Sequence, residues 1–183
     1  MELVKNFTQS KLIKNLFIAL IGSILLAISA KIKIPFYPVP MTMQTLVVLI
    51  IGIGFGWKLG IATIMLYLFE GIIGLPVFSG TPEKGIGLAY FTGPTMGYLI
   101  GFLITVFLAG KFNFDNNLIK NFLKLTFATS FIYILGMLWL GGLIGWDKPI
   151  FKLGAQPFLL AELFKILLAT FAINQIKKIK KIF

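Results

Sequence analysis

Residues 41–74 read MTMQTLVVLIIGIGFGWKLGIATIMLYLFEGIIG, two apolar runs parted only by Trp57 and Lys58. A helix crossing a bilayer needs about 20 mostly apolar residues, with a range of roughly 17–25. We read two short spans here, Met41–Gly56 and Leu59–Gly74. Further apolar runs lie outward on both sides: Leu12–Ala30 before them, and Pro94–Gly110, Leu118–Gly145 and Gln156–Asn174 after them. The fifth run is long, so it tilts or ends early among Gly141, Gly142 and Gly145. The expectation is an all-α integral membrane bundle of six transmembrane helices, one transmembrane domain over residues 1–183.

Composition agrees. Of the 183 residues, 58% are hydrophobic and only 13% charged, against about a quarter charged in a soluble domain. The net charge of +11 comes from 17 lysines, with no arginine. Most of these lysines flank apolar runs, which is membrane topology rather than a nucleic-acid footprint. With the N-terminus in the cytoplasm, eleven lysines fall on inner segments and five (Lys31, Lys33, Lys84, Lys148 and Lys152) on outer loops. The positive-inside rule therefore places both termini in the cytoplasm. The first apolar run lacks an A-x-A cleavage site and reads as a retained span. The outer loops, KIKIPFYPVP, VFSGTPEKGIGLAYFTG and GWDKPIFKLG, carry most of the Pro, Gly and aromatic variety.

The chain has no Cys and no His, which excludes thiol chemistry and the commonest proton shuttle and metal ligand. With six scattered acids, no metal site is expected. No G-x-x-x-x-G-K-[ST] occurs, so the chain hydrolyses no ATP through a P-loop. Internal repeats of the kind found in secondary transporters are also missing. These absences point away from an enzyme or a pump and towards a solute-binding unit that works with partner proteins.

Two features carry chemistry. Glu162 and Lys165, in QPFLLAELFKILLATF, lie three apart on one helical face inside apolar sequence. Ionisable groups at such depth are costly and usually line a cavity or pathway. A structural ion pair near the interface is the other reading. A carboxylate beside an ammonium matches a neutral ligand with N–H next to C=O, such as an amide or urea. Glu70, near the end of the third run, is expected to bond backbone groups where GIIGLP breaks the helix. Small residues recur every four positions at Ala19, Ser23 and Ala27, at Gly52, Gly56 and Gly60, and at Gly93, Gly97, Gly101 and Thr105. Such stripes let helix backbones approach closely. The first is the candidate face for docking a partner; the others read as internal packing.

The runs IPFYPVPMTMQTL, YLFEGIIGLPVFSG and GLAYFTGPTMGYLIGF, followed by PFLLAELFK, resemble the biotin-specific substrate-binding component (BioY family) of energy-coupling factor transporters. The resemblance covers roughly Ala19 to Lys165. It implies a multi-pass protein of the prokaryotic plasma membrane that captures biotin from outside. Its partners would be biotin, membrane lipid, a transmembrane coupling subunit and two cytoplasmic ATPases, with no cofactor of its own. It implies that Glu162 and Lys165 contact the biotin head group, and that Ala19, Ser23 and Ala27 face the coupling subunit. The family's usual acid is Asp, so Glu162 is one methylene longer. With no arginine in the chain, Lys84, Lys165 or backbone N–H groups are left for the carboxylate tail. For such a ligand the proline-rich outer loop offers Phe36 as cover for the ring. Thr42 and Gln44 reach polar atoms or cap the second helix. Phe78, Ser79 and Tyr90, with the backbone at Gly87, form the opposite wall. A substrate-binding component for another vitamin, an intramembrane lipid-modifying enzyme and a scaffold are the alternatives.

Overall fold

The computed structural model describes residues 2–83 and 85–180, with side chains over 11–83 and 85–177. Helix α1 (Glu2–Lys31) leads into a short antiparallel ribbon, β1 (Lys33–Ile34) with β2 (Met41–Thr42), in which Lys33 pairs with Thr42 and Ile34 with Met41. Then come α2 (Gln44–Ile72), α3 (Leu88–Phe91), α4 (Met96–Lys111), α5 (Leu118–Ile144) and α6 (Ile150–Gly154). A 3-10 turn, Gln156–Phe158, delivers the chain into α7 (Leu159–Lys180).

α2 is not one rod. Gly56 sits at φ 75°, ψ 173° inside it, a conformation open to glycine but not to residues with a Cβ. The chain turns back there, and the two halves run antiparallel: Gln44 Nε2 at one end donates to Tyr67 Oη at the other, 2.8 Å away. These halves are the two short spans of the opening stretch. Together with α1, α4, α5 and α7 they make six membrane-crossing segments. The described stretches long and apolar enough to cross a membrane are Lys11–Lys31, Gln44–Ile72, Leu118–Ile144 and Ile150–Lys177, with Met96–Lys111 shorter. The ribbon, α3 and α6 fall in segments that sequence periodicity leaves as loops, because each is too short to carry a period.

Glycine stripes set the packing of α4. At Gly101 a Cβ would lie 2.5 Å from the Ile132 Cα of α5, and at Gly52 a Cβ would lie 2.8 Å from that of Ala109. The Thr105 hydroxyl, on the same stripe, donates to Ala128 O at 2.8 Å. The stripes on α2 and α4 are therefore internal seams, as expected. The α1 stripe is internal as well, which corrects its reading as a docking face. Ala19 and Ser23 are buried, Ser23 against the second half of α2, and Ala27 is half-buried. Ser23 Oγ donates to Glu70 Oε1 at 2.7 Å. Small side chains bring α1 onto its own neighbour, so a partner would meet them only by displacing α2. Glu70 accordingly bonds a side chain across the seam rather than the broken backbone after it.

The outward faces are apolar. Leu16, Phe17, Ile24 and Ile28 on α1, and Leu160, Phe164, Leu168 and Phe171 on α7, are exposed. Only a hydrocarbon solvent makes that arrangement favourable. α1 runs alongside the second half of α2, with Gly22 against Thr63 and Lys31 reaching Phe78. It therefore starts on the face that carries the Gly56 turn. Lys177 ends on that same face, donating to Phe114 O. The opposite face carries the ribbon, the 73–95 segment and the start of α7.

Candidate functional site

α7 starts behind the Gln156–Phe158 turn, and its first turn carries Glu162. Three residues on, Lys165 shares its inward face. Both are buried, and Lys165 Nζ lies 2.5 Å from Glu162 Oε1. The start of α2 supplies their remaining partners. The Thr45 hydroxyl donates to Glu162 Oε1 at 2.8 Å. Lys165 Nζ also donates to Thr42 O at 2.6 Å and to Thr45 Oγ1 at 3.1 Å. An ammonium has three hydrogens, and all three of Lys165 point at protein acceptors. This corrects the expectation that Lys165 offers donors to a ligand: it orients and neutralises Glu162 instead. The other carboxylate oxygen, Glu162 Oε2, is buried and makes no hydrogen bond of good geometry, with Tyr133 as the neighbouring side chain that interacts with the carboxylate. Position in the first turn of α7 adds the favourable end of the helix dipole. What this end of the site presents is a fixed anionic acceptor.

The opposite wall comes from the 73–95 segment. The Phe78 ring is stacked on Tyr90, with centroids 4.7 Å apart and planes 24° apart, and meets Tyr67 edge-on at 5.2 Å. Gly71 makes room for it, since a Cβ there would overlap the ring. Tyr90 Oη donates to Ser79 O at 2.7 Å. Burial pushes the Tyr90 phenol above the ordinary tyrosine range, offset in part by Thr95, so it remains a donor at neutral pH. The Ser79 hydroxyl is the second buried polar atom with no hydrogen-bond partner. Buried polar groups are nearly always paired. The two such unpaired atoms among the described residues, one acceptor and one hydroxyl, lie on the walls of one cavity.

That cavity lies between α2, α4, α5, the start of α7 and the 33–43 and 73–95 segments. Its volume, counting the space at its open side, is about 540 Å³. Its mainly aromatic and aliphatic lining, with a few polar groups, suits a mostly apolar molecule better than a hydrated ion. Thr42, Gln44, Phe78, Ser79, Tyr90, Glu162 and Lys165 all line it. Thr42 and Gln44 act largely as frame. Thr42 Oγ1 donates to Gln44 Oε1 at 3.2 Å, and Gln44 in turn holds Tyr67, whose hydroxyl donates to Val77 O.

Phe36 does not line the cavity. It is 37% exposed and packs edge-on against Phe158 at 5.8 Å, so it braces a lining residue from outside. Gly87 does not line it either: its backbone, at φ 64°, lies against Ile72 O. Lys84 lies outside the described residues. Several lining residues escaped the sequence reading: Thr45, Tyr67, Tyr98, Tyr133 and Phe158. Thr45 lies within the IPFYPVPMTMQTL run singled out in the sequence, a signal that was available. Tyr98 closes the G-P-T-x-G-Y run, and its hydroxyl donates to Gly154 O at 2.8 Å. Tyr133 sits in a featureless apolar run, and only the packing of α5 aims it inward.

The sequence profile of the BioY family matches residues 4–181. A probable biotin transporter BioY of Pyrococcus horikoshii is 35% identical over 141 residues, which cover 77% of this chain and 82% of that protein. The biotin transporter BioY of Thermotoga maritima is 31% identical over 168 residues, covering 91% and 98%. A crystal structure of the S-component for biotin from an ECF-type ABC transporter superimposes with a TM-score of 0.76 at 25% identity, covering 92% of this chain and 93% of that one. The extent of the profile match and the similarity over most of each relative's length lead to one conclusion: this chain belongs to the BioY family.

Proposed function

We propose that the chain is the membrane-embedded, high-affinity biotin-binding subunit of an energy-coupling factor uptake transporter in the plasma membrane. Its role is capture rather than catalysis. The observation that carries this reading is the buried Glu162 carboxylate, set by Lys165 and Thr45 and with Oε2 outside those bonds, in the wall of a cavity also lined by Phe78, Tyr90, Tyr98 and Tyr133. A carboxylate oxygen accepts only, so it suits the N–H of a ureido head, while the aromatic walls suit an apolar fused ring. Ser79 Oγ offers a further hydrogen bond to a polar atom of the ligand. With no P-loop in the chain, energy comes from a transmembrane coupling subunit and two cytoplasmic ATPases. Both termini, and the Gly56 turn beside them, face the cytoplasm, as the lysine distribution favours. The cavity then opens outward.

Titration of the purified protein with biotin, thiamine and riboflavin tests the reading. Saturable binding of biotin alone is expected. Binding of another vitamin in its place, or of none, refutes it.

A further inference from the structure

We propose that Lys31 is a positioning residue that fastens the 78–81 segment over the cavity and thereby sets how long a ligand stays. The inference rests on the biotin-capture reading above, and its test separates the two. Lys31 is the last residue of α1. Its Nζ donates to Phe78 O at 3.0 Å, Thr81 Oγ1 at 3.2 Å and Thr81 O at 3.4 Å. Three hydrogens thus meet three acceptors on one short turn, which Thr81 Oγ1 closes by donating to Phe78 O at 2.8 Å.

The consequence falls on Ser79. The peptide before it is pinned at Phe78 O by Lys31, and the peptide after it is pinned at Ser79 O by Tyr90. With both flanking carbonyls held, the backbone that aims the unpaired Ser79 hydroxyl into the cavity is fixed, and so is the Phe78 ring beside it. Lys31 itself does not line the cavity; it acts through these two residues. Its own element packs on α2 and touches β2. The Lys31 ammonium is therefore the side-chain tie from α1 to this wall, while Met43 N, donating to Ile32 O at 3.1 Å, ties the following chain to the other.

The test compares wild type with Lys31→Met and Lys31→Arg in detergent. Chase experiments with labelled biotin give association and dissociation rates, and hydrogen exchange is followed in the 75–91 peptide without biotin. For Lys31→Met, dissociation is expected to accelerate by about tenfold with association and melting temperature unchanged. Exchange should quicken in the 75–91 peptide but not in α4. Lys31→Arg, which keeps charge and donors, should restore much of the retention. Unchanged exchange overturns the clip whether or not biotin binds. Faster exchange with wild-type dissociation overturns its role in retention. Failure of the wild type to bind biotin refutes the proposed function and leaves exchange to judge the clip.

Discussion

Replacing Lys165 by Met keeps an unbranched apolar stem of similar reach and deletes the ammonium. Glu162, 4% exposed, then keeps the Thr45 hydroxyl and the neighbouring Tyr133. Removing one member of a buried ion pair costs about 3–5 kcal/mol, because the other is left buried and uncompensated. Glu162 also loses the ammonium that holds its carboxylate in place, so Oε2 is no longer fixed as a charged acceptor at the cavity wall. A ureido N–H that met it loses a charge-assisted hydrogen bond of about 1.5–3 kcal/mol, which is roughly 10–150-fold in Kd. Because all three ammonium hydrogens go to protein acceptors, the loss acts through Glu162 rather than through direct contact. Glu162→Gln should weaken biotin binding over a similar range, and adding Lys165→Met to it should weaken binding little further. Stability should show the same coupling: the double variant carries no stranded charge and recovers about 2 kcal/mol or more of what Lys165→Met loses. The assay is biotin titration and thermal unfolding of all four proteins in one detergent. Wild-type affinity in Lys165→Met, or losses that simply add in the double variant, would refute the reasoning.

Ser79→Ala should weaken biotin binding about fivefold, the worth of one neutral hydrogen bond of about 1 kcal/mol, with the melting temperature unmoved; an unaltered Kd removes Ser79 from the site. Gly101→Leu forces a side chain into the Ile132 backbone and should destabilise the fold by about 1–3 kcal/mol or more, read as a lowered thermal midpoint. Ser23→Trp cannot be accommodated in the seam with α2 and should fail to fold or unfold early; a stable variant defective only in transport would return α1's small-residue face to a docking role. The chain has no cysteine, so single replacements Lys58→Cys and Lys148→Cys report sidedness in intact cells. A membrane-impermeant maleimide is expected to label position 148 and spare position 58, and the reverse pattern inverts the topology.

Much of the architecture could be read before any coordinates, because the solvent dictates it. A chain so apolar, with lysines at the ends of its hydrophobic runs, has to cross a bilayer; each of the six runs overlaps one helix or half-helix, although α1 begins at Glu2 rather than Leu12 and α7 runs to Lys180 rather than Asn174. Tight pairing along Gly52 and Gly101 was legible too, since small residues at helical spacing have no other packing use. Helical spacing likewise puts Glu162 and Lys165 on one face, and their burial follows from the apolar sequence around them. Periodicity reports which face of its own helix a residue occupies, however, and not what stands opposite. Thr45 and Glu162 are 117 positions apart in the chain, and only the folded bundle makes Lys165 a clamp on its own protein rather than a hand extended to a ligand. The same blindness turned the Ala19–Ser23 stripe into a presumed docking surface and Phe36 into a presumed ring cover. Local pattern is a property of covalent order, whereas pairing of buried polar groups is decided by which distant helices close around them. That is why the solvent, the spans and the acid could be named from the residues alone, and the one unpaired oxygen of Glu162 could not.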